Sequence, residues 1–163
     1  MNSFGLVIFT MFFVGTLANF EEARAAFNNL NDSQRQELQK IFEDGSLTKG
    51  QVKEKVKSWV DNQDQSVKDM HSKMMAKMDE MKNNLQQKTA GLSDEAKPIA
   101  AKMAEIHQND ALTLQQTCQQ VNDAFSQASD SVRQELHYQP KDCNNIAQGM
   151  FLKLSGNNQG AAH

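Results

Sequence analysis

Two groups of side chains in this sequence have the types and spacing to do chemistry: the cysteine pair Cys118 and Cys143, and the run Met70, His71, Met74, Met75 and Met78. A cysteine becomes a nucleophile when a basic neighbour lowers its pKa. Cys118 has none, and it falls on the apolar seam of a helical pattern, so it reads as a buried structural residue. The methionine run has three readings. Thioethers with an imidazole could ligate a soft ion such as Cu(I). Flexible thioethers could also form an adaptable apolar surface for a lipid or a partner helix, or fill an irregular core. His71, His107, His137 and His163 are too scattered to form a metal or catalytic cluster. The chain has no Ser–His–Asp ordering around a strained elbow, no phosphate-binding glycine loop and no zinc spacing. These absences point away from an enzyme.

The loop Phe42–Thr48 is similar to an EF-hand in its glycine, Gly45, followed by Leu47 and Thr48. Its ligands are missing. Taking Gly45 as the sixth loop residue puts Lys40, Phe42 and Gln51 where calcium needs carboxylates and a closing bidentate Glu. A second loop in the same register offers Glu105, His107, Asn109 and Gln116, again without the closing Glu. The layout is thus expected without standard calcium ligands. A weak site for magnesium, calcium or zinc remains the alternative to plain helix connectors.

Around these loops the pattern is helical throughout. From Asp61 to Lys88 no proline or glycine intervenes, and Val67, Met70, Met74, Met78, Met81 and Leu85 recur in steps of three and four. That places them on one face of a helix, which covers roughly 28 Å from Val67 to Leu85. Before it, Ser33 with Gln36 and Thr48 with Gln51 fit capping boxes. Gly45 is placed to end the first helix in the left-handed conformation. Lys49, Lys53, Lys55 and Lys57 read as a solvated lysine face over a buried Trp59. After Gly91, Ser93 is a candidate N-cap, and Pro98 should kink the next helix or delay its regular part. Thr113 with Gln116 starts a helix with the seam Leu114, Cys118, Val121, Phe125 and Ala128. Ser131 with Gln134 caps a short helix, and a last amphipathic piece runs from Asp142 to Leu154.

Residues 1–18 carry no charge and end Thr16-Leu17-Ala18, which matches a secretory signal peptide with a small-residue cleavage site. The run is shorter than the roughly 20 residues that span a bilayer, so no stable membrane insertion is expected once it is removed. With 17 basic and 20 acidic residues the formal charge is −3, which argues against a nucleic-acid partner. The expected organisation is a signal peptide at 1–18, a polar lead-in at 19–30, a single helical domain at 31–154 and a disordered tail at 155–163. In an oxidising compartment Cys118 and Cys143 are expected to be paired. That bridge would clip the C-terminal segment to the core.

Leu47–Val52, the long helix after Trp59, Leu92–Lys97, Ile106 with Asn109, Leu112-Thr113 and Ser131–Leu136 together resemble the SXP/RAL family of nematode secreted antigens, over residues 30–136. The resemblance implies a small exported helical protein with a calmodulin-like arrangement, host proteins or antibodies as partners, suggested divalent-cation or small-ligand binding, and no enzymatic activity. The two cysteines and the Cys143–Leu154 extension depart from the family's shared core. The fold class expected is all-α: two helix–loop–helix pairs around a long central helix, EF-hand-like in layout. The function expected is binding of a lipid or other small apolar ligand, or of a protein partner, through a face comprising Trp59, Met70, Met74, Met78, Met81, Met103 and Phe125. No cofactor and no metal-ligating residue is assigned.

Overall fold

The computed structural model describes residues 24–149, and within them leaves the side chains of Met78, Met81, Lys82, Leu85 and Gln86 undescribed. The expected signal peptide, the tail, and Met150, Phe151 and Leu154 lie outside the described residues. The fold is all-α. Its helices are α1 (Asp32–Glu43), α2 (Lys49–Asp61), α3 (Gln65–Ala90), α4 (Ala96–Gln108), α5 (Leu114–Ser126) and α6 (Asp130–Leu136), and residues 146–149 are helical again. Among the described residues no helix is long and apolar enough to cross a membrane.

Local chemistry fixes where the helices begin. Thr48 accepts from the backbone N–H of Gln51 while the Gln51 side chain accepts from the N–H of Thr48, and Thr113 and Gln116 repeat this reciprocal box. Each box satisfies two backbone donors that a helix start otherwise leaves without partners. Helix α1 begins at Asp32, one of the two starts the sequence allows (Asp32 or Ser33), but its cap and that of α6 each lie two residues before the expected serine. Helix α1 is capped by Asn31 with Gln34, and α6 by Ser129, so Ser33 and Ser131 lie inside helices. Asparagine and serine cap equally well, so the choice falls to the residue that leaves α1 and α6 their full turns. Gly45 is not left-handed. The Asp44 carboxylate accepts from both the N–H and the hydroxyl of Ser46 and turns the chain first. Pro98 is harmless because α4 starts at Ala96, which places the ring in the first turn, where its missing N–H has no partner to lose.

The helices build two cores. Val52, Val56 and Val60 of α2 pack with Leu38, Ile41, Phe42, Leu47 and Trp59. In the other half, Ala96, Ala100 and Met103 of α4 face Val121, Ala124 and Phe125 of α5, closed off by Ala128, Val132, Leu136 and Tyr138. The alanines let α4 and α5 approach, and this is the most extensive helix contact of the described molecule. The long helix α3 joins the two halves. Its Val67 is buried, but Met70, Met74 and Met75 are only half-buried and belong to neither core. The molecule is therefore organised by its helical pairs, with α3 as their connection.

The halves meet at their loops. Thr48 and Thr113 form an antiparallel bridge, the N–H of Lys49 donates to the carbonyl of Leu112 at 2.9 Å, and that of Gly50 to the carbonyl of Asp110 at 3.0 Å. A Cβ at Gly50 would meet the Asp110 carbonyl oxygen at 3.3 Å, so the close approach of the two loops favours glycine here and a larger residue would push them apart by a few tenths of an ångström.

Candidate functional site

A cavity of about 330 Å³ lies where the end of α1 and the first loop face the C-terminal segment. Phe42, Leu47 and Val52 line one side, and Leu114, Cys143 and Ile146 the other. Glu43, Asp44, Gln115, Asn144 and Asn145 add polar groups to its wall, and among the described residues no lysine, arginine or histidine lines it. Hydrogen bonds from Ser46 hold the Asp44 carboxyl below its ordinary value, so the wall carries negative charge at neutral pH. The cavity is a half-open cleft whose exposed lining is more polar than apolar, a shape that can hold the short apolar body of a small amphiphile while several polar groups meet its head.

Two devices hold the outer wall in place. One is the Cys118–Cys143 disulfide, whose Cα atoms are 5.6 Å apart. The other is Asn122, one helical turn after Cys118. Its Oδ1 accepts from the Tyr138 hydroxyl at 2.7 Å and from the Lys141 N–H at 3.2 Å, while Nδ2 donates to the Lys141 carbonyl at 2.9 Å. The side-chain amide thus pairs with Lys141 as a strand neighbour would. Tyr138 packs edge-on against Phe125 at 5.0 Å, and burial pushes its phenol up to about 12. Replacing Asn122 by Ala is expected to lower stability by about 2–3 kcal/mol, since it removes the three hydrogen bonds that Asn122 makes to Tyr138 and Lys141. Urea unfolding of the variant measures it; a loss below about 0.5 kcal/mol would show that Asn122 does not hold the segment.

A second constellation sits behind the loop bridge. Lys49 is 3% exposed, and its Nζ donates to the carbonyl of His107 at 2.6 Å and to that of Ile106 at 3.2 Å. One turn on, the ammonium of Lys53 pairs with the Asp110 carboxylate. Burial, opposed by Asp110, pushes Lys49 down to about 8. It remains protonated at neutral pH. The charge-burial penalty is fully present below pH 8 and is released as pH climbs from there toward 10.5, so stability rises through that window. His107 is buried beside it and is held neutral, pushed down to about 3 first by burial and then by the Lys49 charge. The reading of Lys49 as part of a solvated face is thus corrected: only Lys55 and Lys57 are fully exposed. Trp59 is half-buried rather than buried, because its Nε1 reaches out to the Glu37 carboxylate at 2.7 Å.

The residues assigned to a ligand face from the sequence do not form one face. Met103 and Phe125 are closed inside the C-terminal core, Trp59 belongs to the N-terminal core, and Met70 and Met74 are half-buried on α3. The Met78 and Met81 side chains lie outside the description. None of the five whose side chains are described lines the cavity. Cys118 and Cys143 are joined as expected.

The family model described as "SXP/RAL-2 family protein Ani s 5-like, metal-binding domain" matches residues 2–139. The chain belongs to the SXP/RAL-2 family. No curated protein and no solved structure matches it significantly. The match stops before Cys143, so residues 143–148 of the cavity wall lie outside the matched part.

The words "metal-binding" in that description can be tested against the residues. Among the described residues no three or more His, Cys, Asp or Glu side chains come together as a metal site. At the second loop, the oxygens that face inward, the Ile106 and His107 carbonyls and the Asp110 carboxylate, already accept from lysine ammonium groups. A divalent ion prefers six or more oxygens free of competing cations. The second loop does not fit one.

Proposed function

We propose that this SXP/RAL-2 protein is a secreted, antigen-like, non-enzymatic binding protein whose site is the cavity between the first loop and the disulfide-held segment. The observation that carries the reading is that cavity. It is bounded by a mixed wall, in which Phe42, Leu47, Val52 and Leu114 alternate with Glu43, Asp44 and Gln115, and by a segment fastened at Cys143. Export is supported by the uncharged run at residues 1–18, by the disulfide, and by membership of a family of exported antigens.

The lining also selects the ligand. With Glu43 and Asp44 in the wall and no basic side chain among its described residues, a carboxylate head would meet like charge, which disfavours it. A small amphiphile with a neutral or cationic head fits, its apolar body against Phe42, Leu47 and Ile146. The neutral fluorophore N-phenyl-1-naphthylamine is expected to brighten with micromolar affinity, and the fatty acid cis-parinarate to bind at least about ten-fold more weakly. Ala147, also in the lining, becomes the test position. Ala147→Trp fills the space and is expected to weaken the neutral probe by about ten-fold or more with helicity unchanged. No brightening at micromolar protein, or equal affinity in Ala147→Trp, refutes the reading.

A further inference from the structure

We propose that the ammonium groups of Lys49 and Lys53 are the resident cations of the paired loops, filling the positions at which a divalent ion would have to be held. The inference is independent of the cavity reading, since neither lysine lines the cavity.

A helix C-terminus gathers carbonyl oxygens and the negative end of the backbone dipole, so it favours a cation. The end of α4 is such a place, and Asp110 adds a carboxylate two residues beyond the helix. In this chain the charge is met from the other half of the molecule. Lys49 and Lys53 both lie in the first two turns of α2, immediately after the Thr48–Thr113 bridge. The bridge delivers the Lys49 Nζ to the Ile106 and His107 carbonyls and that of Lys53 to Asp110. A buried ammonium is worth keeping only where oxygens replace its water shell, and here the end of α4 and Asp110 supply inward-facing oxygens of the kind a divalent ion at this loop would need. The Lys49 hydrogen bonds are charge-assisted and join residues 57 and 58 positions apart in the sequence. What a calcium ion does locally within one loop is done here between two loops, by side chains that cannot dissociate. Divalent ions at this point would have to displace a covalently tethered cation and add charge beside it, which the Coulomb repulsion opposes. The pairing of the loops is therefore metal-independent.

The test uses the full chain with calcium, magnesium and zinc, each as the metal alone. In wild type, the backbone amide signals of residues 105–113 are expected to show no saturable shift at millimolar metal. The Lys49 Nζ protons are expected to exchange slowly, and equally slowly with metal present. In Lys49→Gln/Lys53→Gln the oxygens lose their cations. That variant is expected to gain a weak calcium site, with shifts centred on residues 106–110 and a rise in Tm on adding calcium. Lys53→Gln alone removes only the half-buried pair and is expected to show the same gain on a smaller scale at Asp110. Saturable metal shifts at 105–113 in wild type would overturn the proposal. So would slow exchange that is absent for Lys49, or a failure of both variants to gain any metal response.

Discussion

Removing the disulfide by Cys118→Ser with Cys143→Ser is expected to lower stability by about 3.5 kcal/mol and Tm by roughly 10 °C. The figure follows from the closed loop. The cysteines are 25 residues apart, and confining the unfolded chain to a ring of that size removes about 12 cal/mol/K of entropy. Both residues are buried, so serine also leaves polar hydroxyls facing apolar neighbours. The loss should be local before it is global. Asn122 still holds Lys141, and the α4–α5 core does not depend on the bridge. Most of the helix signal should therefore survive at room temperature. Binding of the neutral probe should weaken by about ten-fold or more because residues 143–148 no longer close the cavity. Thermal unfolding and probe titration of the double variant, or of reduced protein, measure both effects. An unchanged Tm with an intact bridge in the reference protein would contradict the account.

The second large effect is in acid. His107 is folded as the neutral imidazole, with a pKa of about 3 against an ordinary 6.5. Between these values the unfolded chain binds a proton that the folded chain refuses, so stability falls as pH drops from 6.5 toward 3. The shift corresponds to at most about 4–5 kcal/mol, fully lost near pH 3. Lys49 makes this worse, because a second cation would have to sit beside an ammonium already present. The carboxylates also titrate in this range. The difference between wild type and His107→Leu isolates the imidazole. The variant is expected to be the more acid-resistant, with the gap opening below pH 6.5. Parallel stability curves for the two proteins from pH 7 to pH 4 would show that His107 is not held neutral by the fold.

These two effects show which parts of the molecule can be read from its residues. The helices and the Thr48 and Thr113 boxes follow from local chemistry, and local chemistry is what the sequence displays directly. The disulfide followed from the compartment rather than from any contact. Lys49 and His107 were legible in register and were overruled by type. Lys49 stands on the same face as Val52, Val56 and Val60, and His107 continues Ala96, Ala100 and Met103. Spacing aligns both with a core face, but the charge of Lys49 suggested solvent and the imidazole of His107 suggested only a candidate loop ligand. What the residues could not show was that the opposite half of the chain supplies oxygens at that point, since contacts 57 residues apart have no local signature. The methionine stripe failed in the reverse sense. Spacing states which side chains share a face, not what covers it, and on α3 nothing in either core covers Met70 and Met74 fully. The cavity was invisible for the same reason: its two walls come from Phe42–Val52 and Leu114–Gln148, which only the fold brings together.

The measurement that bears most directly on the binding site is amide and methyl chemical-shift mapping of the oxidised protein during titration with N-phenyl-1-naphthylamine. The account predicts saturable shifts at Leu47, Val52, Leu114 and Ile146, with Met70 and Met74 unmoved. Shifts that instead run along Met70 and Met74, or none at saturating probe, would contradict it.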